Sequence, residues 1–329
     1  CALPILANVL LKQLAADAGA HTDSPAIPRR APKRVPARLP TPVPADPVRP
    51  VAQRNYPVQS APYENSLGMK FVPVPGTEVL FCIWETRVRD FEAFVRDSAN
   101  NGGYDYRRGR QPYILRKDAW KQRGWEYGWS NPGFSQSADH PVTCVSWEDA
   151  KAFCGWLTRK EQQEGRISAS QSYRLPTDEE WSYAVGIGER ERGSTPNEKN
   201  QKLAGVYPWG TEWPPPAGAG NYAGAEAEDS DWPSYFMVIS GYRDNYPRTS
   251  PVGSFKPNRY GLYDLGGNVW EWCEDWYDSE QTWRVLGGAS WISVEPRGLL
   301  SSYRNCLTPV IRYVFNGFRV VLVGESAAR

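Results

Sequence analysis

The apolar positions of this chain change character along its length, and each change marks an element. Between Leu3 and Ala16, residues Leu3, Ile5, Leu6, Val9, Leu10, Leu11 and Leu14 recur at helical spacing. The spacing predicts an amphipathic segment over 1–24 with one apolar face. From Pro25 to Pro62 that pattern is replaced by Pro, Ala, Val and Arg, with prolines at 28, 32, 36, 40, 42, 44, 47 and 50. Such a stretch favours extended polyproline conformation, so 25–63 reads as a semi-rigid linker. Its Arg29-Arg30 and Lys33-Arg34 pairs read as solvated; contact with anionic headgroups is the alternative.

A folded body is expected over 64–329. Phe81 to Thr86 reads as a strand, and Thr86 then opens a helix carrying Phe91, Phe94 and Val95. Ser146 and Asp149 have capping-box spacing ahead of a helix whose Ala150, Phe153, Cys154 and Leu157 recur at i, i+3, i+4 and i+7. Thr177 and Glu180 repeat the signal for a third helix start. Beyond Ala184 the chain becomes loop-rich, with a Pro214-Pro215-Pro216 turn and an acidic stretch from Glu226 to Asp231. No repeat of fixed period is present. The segment Arg284 to Leu322 differs again. Ile292, Val294, Leu299, Leu307, Ile311, Tyr313, Val314 and Phe315 follow neither strand nor helix periodicity. That irregularity predicts an exposed loop surface, and exposed apolar surface usually binds something.

Composition narrows the class. With 329 residues, 40% hydrophobic and 23% charged, the chain can bury one large core or two small ones. Its formal net charge of +1 provides no global field to attract nucleic acid, and none is expected as a partner. Trp 15, Tyr 18, Gly 29 and Pro 29 point to a loop-heavy α+β fold rather than a helix bundle. No apolar run approaches the roughly 20 residues of a membrane span.

Cys82, Cys144, Cys154, Cys273 and Cys306, with Cys1, form no Cys-x-x-Cys pair, which argues against zinc or thioredoxin chemistry. Buried free thiols are the expectation for Cys144 and Cys154. Cys1 stands apart. It reads either as an arbitrary start or as the lipidated cysteine of a processed bacterial lipoprotein; the linker behind it favours the second. On that reading the protein is tethered through an N-terminal lipid anchor at the bacterial cell surface, as an outer-membrane lipoprotein.

Several pieces together carry a family resemblance. They are Asn65-Ser66-Leu67-Gly68-Met69, Asp139-His140-Pro141-Val142, Val145-Ser146-Trp147, the run from Tyr173 to Trp181, Tyr207-Pro208-Trp209-Gly210, the block from Tyr260 to Trp272, and Gly317-Phe318-Arg319. In this order, over roughly Asn65 to Leu322, they resemble the formylglycine-generating-enzyme or sulfatase-modifying-factor domain. The resemblance implies a C-type-lectin-like α+β fold with short sheets, two main helices and much ordered loop. The oxidising members use a cysteine pair shortly after a Gly-Gly-Ser motif, where soft thiolates suit copper. Here the first of those positions falls on Ile292 and the second near Arg297, and neither can supply a thiolate. A relative that oxidises thiol-histidine compounds at iron needs several histidines, and this chain has only His21 and His140. No redox cofactor and no enzymatic activity are therefore expected.

The same framework resembles the variable proteins of diversity-generating retroelements. Their C-terminal segment runs from Arg-Val-Leu through a Gly-Gly-Ser-Trp-like turn and mutable positions to Gly-Phe-Arg-Val-Val. Adenine mutagenesis of Asn codons there gives NNY codons, which never encode Glu, Gln, Lys, Met or Trp. From Ile292 to Leu322 only Glu295 lies outside that set. The resemblance implies a variable region over 284–322 on a rigid scaffold. The expected contact set is Ile292, Ser293, Arg297, Leu299, Tyr303, Asn305, Leu307, Ile311, Tyr313, Val314 and Phe315. The alternative places Ile311, Val314 and Phe315 in the core of a last strand. Trp291, Arg304, Pro309, Arg312, Phe318 and Arg319 are expected as framework. The apolar content suits a protein or peptide ligand, and no Glu-Pro-Asn-like loop supports calcium-bridged sugar binding.

The family also implies structural calcium. Asp264, Gly267, Val269 and Glu271 match one such motif, with Asp264 standing in for an Asn. Asn221, Tyr222, Asp244 and Tyr246 match a second more weakly. The carboxylates are the hard oxygen donors that calcium prefers; turn capping by Asp264 and Glu271 is the alternative.

Overall fold

A computed structural model describes residues 62–100, 103–115, 120–122, 124–229 and 236–324. The chain divides into units 1–55 and 56–329, and the described residues all lie in the second. Cys1, the amphipathic segment and nearly all of the Pro-rich linker fall outside them.

Strands are short throughout. Tyr63–Glu64 (β1), Lys70–Pro73 (β2), Leu80–Cys82 (β3), Ser172–Arg174 (β6) and Val321–Val323 (β11) form a five-stranded sheet in the order β1-β2-β3-β11-β6. The last strand thus lies between β3 and β6, antiparallel to both, with Val321 opposite Phe81 and Arg174. Trp270–Trp276 (β7), Arg284–Gly287 (β8), Asn305–Leu307 (β9) and Asn316–Gly317 (β10) form a four-stranded sheet ordered β10-β7-β8-β9. Tyr113–Leu115 (β4) pairs with Trp120–Gln122 (β5) as a hairpin. The strand expected over Phe81–Thr86 stops at Cys82. Beyond it Glu85 and Thr86 are fully buried, and Glu85 takes hydrogen bonds from Asn268 and Val269 instead of continuing a ladder.

The helices follow their start signals. Val88–Asn100 (α1) turns Phe91 and Phe94 inward, both almost fully buried. Trp147–Gln163 (α2) begins with a complete capping box: Ser146 accepts from the Asp149 amide, and Asp149 accepts from the Ser146 amide. The expected inward face of Ala150, Phe153, Cys154 and Leu157 is buried, joined by Trp156. Asp178–Val185 (α3) has the same box from Thr177 and Glu180 and ends on Gly186 at φ 95°, a left-handed cap that a side chain would strain.

Phe318 sits against Phe91 and Phe153, with ring centroids 6.4 and 5.4 Å apart. This cluster joins the end of the chain to α1 and α2. On the other side of β11, Val321 packs with Phe81, Trp181, Leu262, Leu265 and Val285.

Candidate functional site

The segment 284–322 is held by three buried arginines, each closing on a carboxylate distant in sequence. Arg304 donates from Nε and Nη2 to the Asp178 carboxylate at 2.8 and 3.2 Å, and also to Glu191 and to Ser182 Oγ. Arg312 grips Asp149 in a bidentate pair, both bonds 2.6 Å, and donates to the carbonyls of Tyr106 and Arg110. Arg319, fully buried, donates to both oxygens of Glu271 at 2.7 and 2.5 Å and to the carbonyls of Cys82 and Tyr263. Burial alone would weaken these cations. The carboxylate bonds and charges outweigh it and hold all three guanidinium groups above their ordinary pKa. Two of the acids also begin helices: Asp149 closes the α2 capping box and Asp178 is the first residue of α3. The clamps therefore fix the segment to the rigid ends of two helices and to β7.

Between the clamps the segment is mixed. The expectation that its apolar residues are exposed fails for Ile292, Leu299, Tyr313, Val314 and Phe315, all buried. Ring stacking and backbone pairing explain it. Tyr313 stacks on Phe315 at 4.9 Å and lies 5.2 Å from Tyr113. The Val314 amide donates to the Tyr113 carbonyl, and the Phe315 carbonyl accepts from Trp270. Trp291 donates to the Val314 carbonyl. Leu299 is drawn inward by the short 3-10 turn Pro296–Leu299. Irregular apolar spacing here reflects a loop packed on both sides.

Ser293, Tyr303, Asn305, Leu307 and Ile311 are half-buried, and Arg297 is exposed. Asn305 and Leu307 stand two apart on β9, the edge strand of its sheet, and so share a face. Cys306 between them packs toward the core, so that shared face looks away from it. Leu307 lies opposite Arg284 in the ladder. The Arg284 guanidinium is sandwiched 3.8 Å from the Trp147 ring and 3.4 Å from the Trp276 ring. Tyr303 rests against Trp270 at 5.8 Å, and burial pushes its hydroxyl up to about 12. The expected framework side chains Trp291, Arg304, Arg312, Phe318 and Arg319 are buried; Pro309 is half-buried and its carbonyl accepts from Glu148.

The position expected for a first catalytic cysteine, Ile292, is sealed in the core, and Arg297 points to solvent. Cys306 is half-buried, and burial with nearby Asp278 pushes its thiol up to about 12, against nucleophilic use. Cys82, Cys144, Cys154 and Cys273 are buried free thiols.

At the two motifs expected for calcium, several of the donors are engaged within the protein. The Glu271 carboxylate accepts from Arg319 and from the Trp181 indole, and so also serves as a clamp partner. Asp264, at φ 56°, accepts from the Gly253 amide through Oδ2, while its Oδ1 is buried with no partner. Asn221 Oδ1 is likewise buried and unpartnered. The Val269 amide donates to Glu85, and Gly267 approaches so closely that a Cβ there would meet the Asn221 carbonyl at 2.4 Å. Asp244 accepts from the Tyr222 and Tyr246 amides. Burial, then Glu226, pushes its carboxyl up to about 8. Burial pushes Asp264 up to about 6 and, with Asp264 and Glu271 beside it, raises Glu85 well above the usual range. Among the described residues no three His, Cys, Asp or Glu side chains converge as a metal cluster. A cation at either motif would need backbone oxygens as well, and each motif has one orphaned buried oxygen that fits a hard ion: Asp264 Oδ1 in the first and Asn221 Oδ1 in the second.

The sequence reading missed the carboxylates opposite the arginines. Asp149 and Asp178 were legible as helix-start residues, but nothing local signals an ion pair 163 or 126 positions away.

Two kinds of curated relative match about half of this chain. The inactive C-alpha-formylglycine-generating enzyme 2 of Bos taurus is 36% identical over 162 residues, 49% of this chain and 41% of that protein. The formylglycine-generating enzyme of Thermomonospora curvata is 34% identical over 160 residues, 49% of this chain and 40% of the enzyme. The matched part thus spans about two-fifths of each relative. Among solved structures, Treponema denticola variable protein 1 superposes with a TM-score of 0.45 at 18% identity, over 79% of this chain and 92% of that one. The sequence profile of the sulfatase-modifying factor enzyme 1-like domain matches residues 78–323, and the chain belongs to that family.

Proposed function

We propose that this chain is a non-catalytic ligand-binding protein whose segment 284–322 carries a binding face open to sequence variation. One observation carries the reading. The three arginine clamps fix the segment at 304, 312 and 319, while the side chains between and before them remain partly open: Ser293, Arg297, Tyr303, Asn305, Leu307 and Ile311. A face that must tolerate substitution needs such separation of support from contact. Where oxidising members place cysteines, this chain has Ile292 and a residue near Arg297, which supports a role without catalysis. The ligand is a protein or peptide, anchored by Tyr303 and Leu307 and exposed to Arg297. Display at a bacterial cell surface through a lipidated Cys1, with structural calcium at the motif of Asp264 and Glu271 and a weaker second site at Asn221 and Asp244, completes the reading.

The test is a library randomised at Ser293, Arg297, Asn305, Leu307 and Ile311. Most members should remain folded, and selection against unrelated protein targets should return binders. A library that is largely unfolded, or yields no binder to any target, would overturn the proposal. Oxidation of a cysteine-bearing peptide to formylglycine by the copper-loaded protein would overturn its non-catalytic part.

A further inference from the structure

A cavity lies outside the segment 284–322, and no residue of that segment lines it. It encloses about 480 Å³ between α1, the 3-10 turn Tyr106–Arg108 and the loop 124–130. Five aromatic side chains line it: Tyr104, Tyr106, Trp125, Tyr127 and Trp129. All five are half-buried, so each leaves part of its ring open.

Their orientation is fixed from behind. The Tyr104 hydroxyl donates to Asp149 and its ring lies 4.6 Å from Phe94. The Tyr106 hydroxyl donates to the Cys144 carbonyl at 2.7 Å, and the Arg312 guanidinium lies 3.7 Å from the centre of its ring. Both phenols therefore have their polar ends turned into the protein, which leaves ring surface for the cavity. Trp125 stands edge-on to Tyr106 at 6.0 Å, and Trp129 is backed by Phe91 at 5.6 Å. Among the described residues neither indole N–H has an acceptor, so both remain available to one brought by a ligand.

The rim carries Asp105, Glu126, Arg107 and Arg108, all exposed, two acids against two bases. Asp105 and Arg108 are paired at 3.5 Å. A rim without net charge selects neither an anion nor a cation. Aromatic faces, unpaired indole donors and a mixed polar rim suit a ligand with flat C–H faces and equatorial hydroxyl groups. The volume lies within the range of small-ligand sites, roughly 300–1,000 Å³.

We infer that this cavity is a binding site for a neutral saccharide of one or two pyranose rings, stacked on Trp125 and Tyr127. Recognition is by ring stacking and hydrogen bonding without a bridging cation. It is independent of the binding face at 284–322, so either can fail without the other.

Saturation-transfer NMR on the full chain tests it, with maltose, cellobiose and N,N′-diacetylchitobiose as probes and tetramethylammonium as the cationic alternative. At least one disaccharide should show saturable transfer to its ring protons. Trp125→Ala should weaken that binding at least about tenfold, the loss expected of a stacking indole. Ser130→Trp, at an exposed position on the rim, should block the cavity without touching the core; its melting temperature should match wild type. No saturable transfer from any of the three sugars would overturn the assignment. So would transfer undiminished in both variants, or saturable binding of tetramethylammonium alone.

Discussion

Replacing Arg319 by Met tests whether the clamps hold the segment in place. The side chain is fully buried and donates to two carboxylate oxygens and two carbonyls. Methionine preserves most of the apolar stem but leaves the buried Glu271 without its counter-charge, holding only the Trp181 indole, with Glu85 and Asp264 close by. Removing one partner of a buried ion pair costs about 3–5 kcal/mol. The abandoned carbonyls of Cys82 and Tyr263 add about 1–2 kcal/mol between them. A loss of about 4–7 kcal/mol is comparable with the whole net stability of a domain, about 5–15 kcal/mol. Urea unfolding followed by tryptophan fluorescence should show the midpoint falling sharply or the variant already unfolded. Adding Glu271→Gln removes the stranded charge and should recover about 1–3 kcal/mol, a non-additive effect expected of direct partners. The reasoning is refuted if Arg319→Met unfolds within about 1 kcal/mol of wild type, or if the double variant is no more stable than the single one.

Asp149 serves both the α2 cap and Arg312, so Asp149→Ala should cost about 3–5 kcal/mol, against about 1 kcal/mol for Ser146→Ala, which loses the cap alone; equal losses in urea would show that the arginine pair contributes nothing. The triple change of Tyr313, Val314 and Phe315 to Ala should abolish cooperative unfolding, each truncation costing about 2–5 kcal/mol, whereas Arg297→Ala and Ser293→Ala should stay within about 0.5 kcal/mol. For pH, Asp264 and Asp244 titrate at about 6 and about 8 in the fold, above the ordinary value near 3.9. The folded state therefore prefers their protonated forms. Their contribution is fully present below about pH 4 and is lost as pH rises through about 8. In chelator the melting temperature should drop between pH 6 and pH 8.5, and millimolar calcium should close the gap if the orphaned oxygens hold it. A chelated protein with a flat profile across that window would exclude the coupling.

What could be read along the chain was mostly local. Ser146 with Asp149 and Thr177 with Glu180 marked two helix starts because a capping box lies within four residues. The family blocks carried the fold class. The segment after Gly288 defeated periodicity for a physical reason: its buried side chains point alternately at α1 and α2, at β7 and at the loop around Tyr113, so no single face repeats. Tyr313, Val314 and Phe315 therefore looked like loop residues and are core. Arg304, Arg312 and Arg319 were expected as framework, but their acids became visible only when the chain was folded. The cavity beside Trp125 left no signal in the sequence, since its walls come from three separate stretches.

The position of Val321–Val323 between β3 and β6 has a consequence for any scheme that rewrites the residues before it. The sheet cannot close until the strand between β3 and β6 has been synthesised, and that strand follows every partly open side chain from Ser293 to Ile311. A frameshift or premature stop anywhere before it deletes the strand on which both neighbours pair. Translation in the correct frame through Val323 is thereby made a condition of closing the sheet.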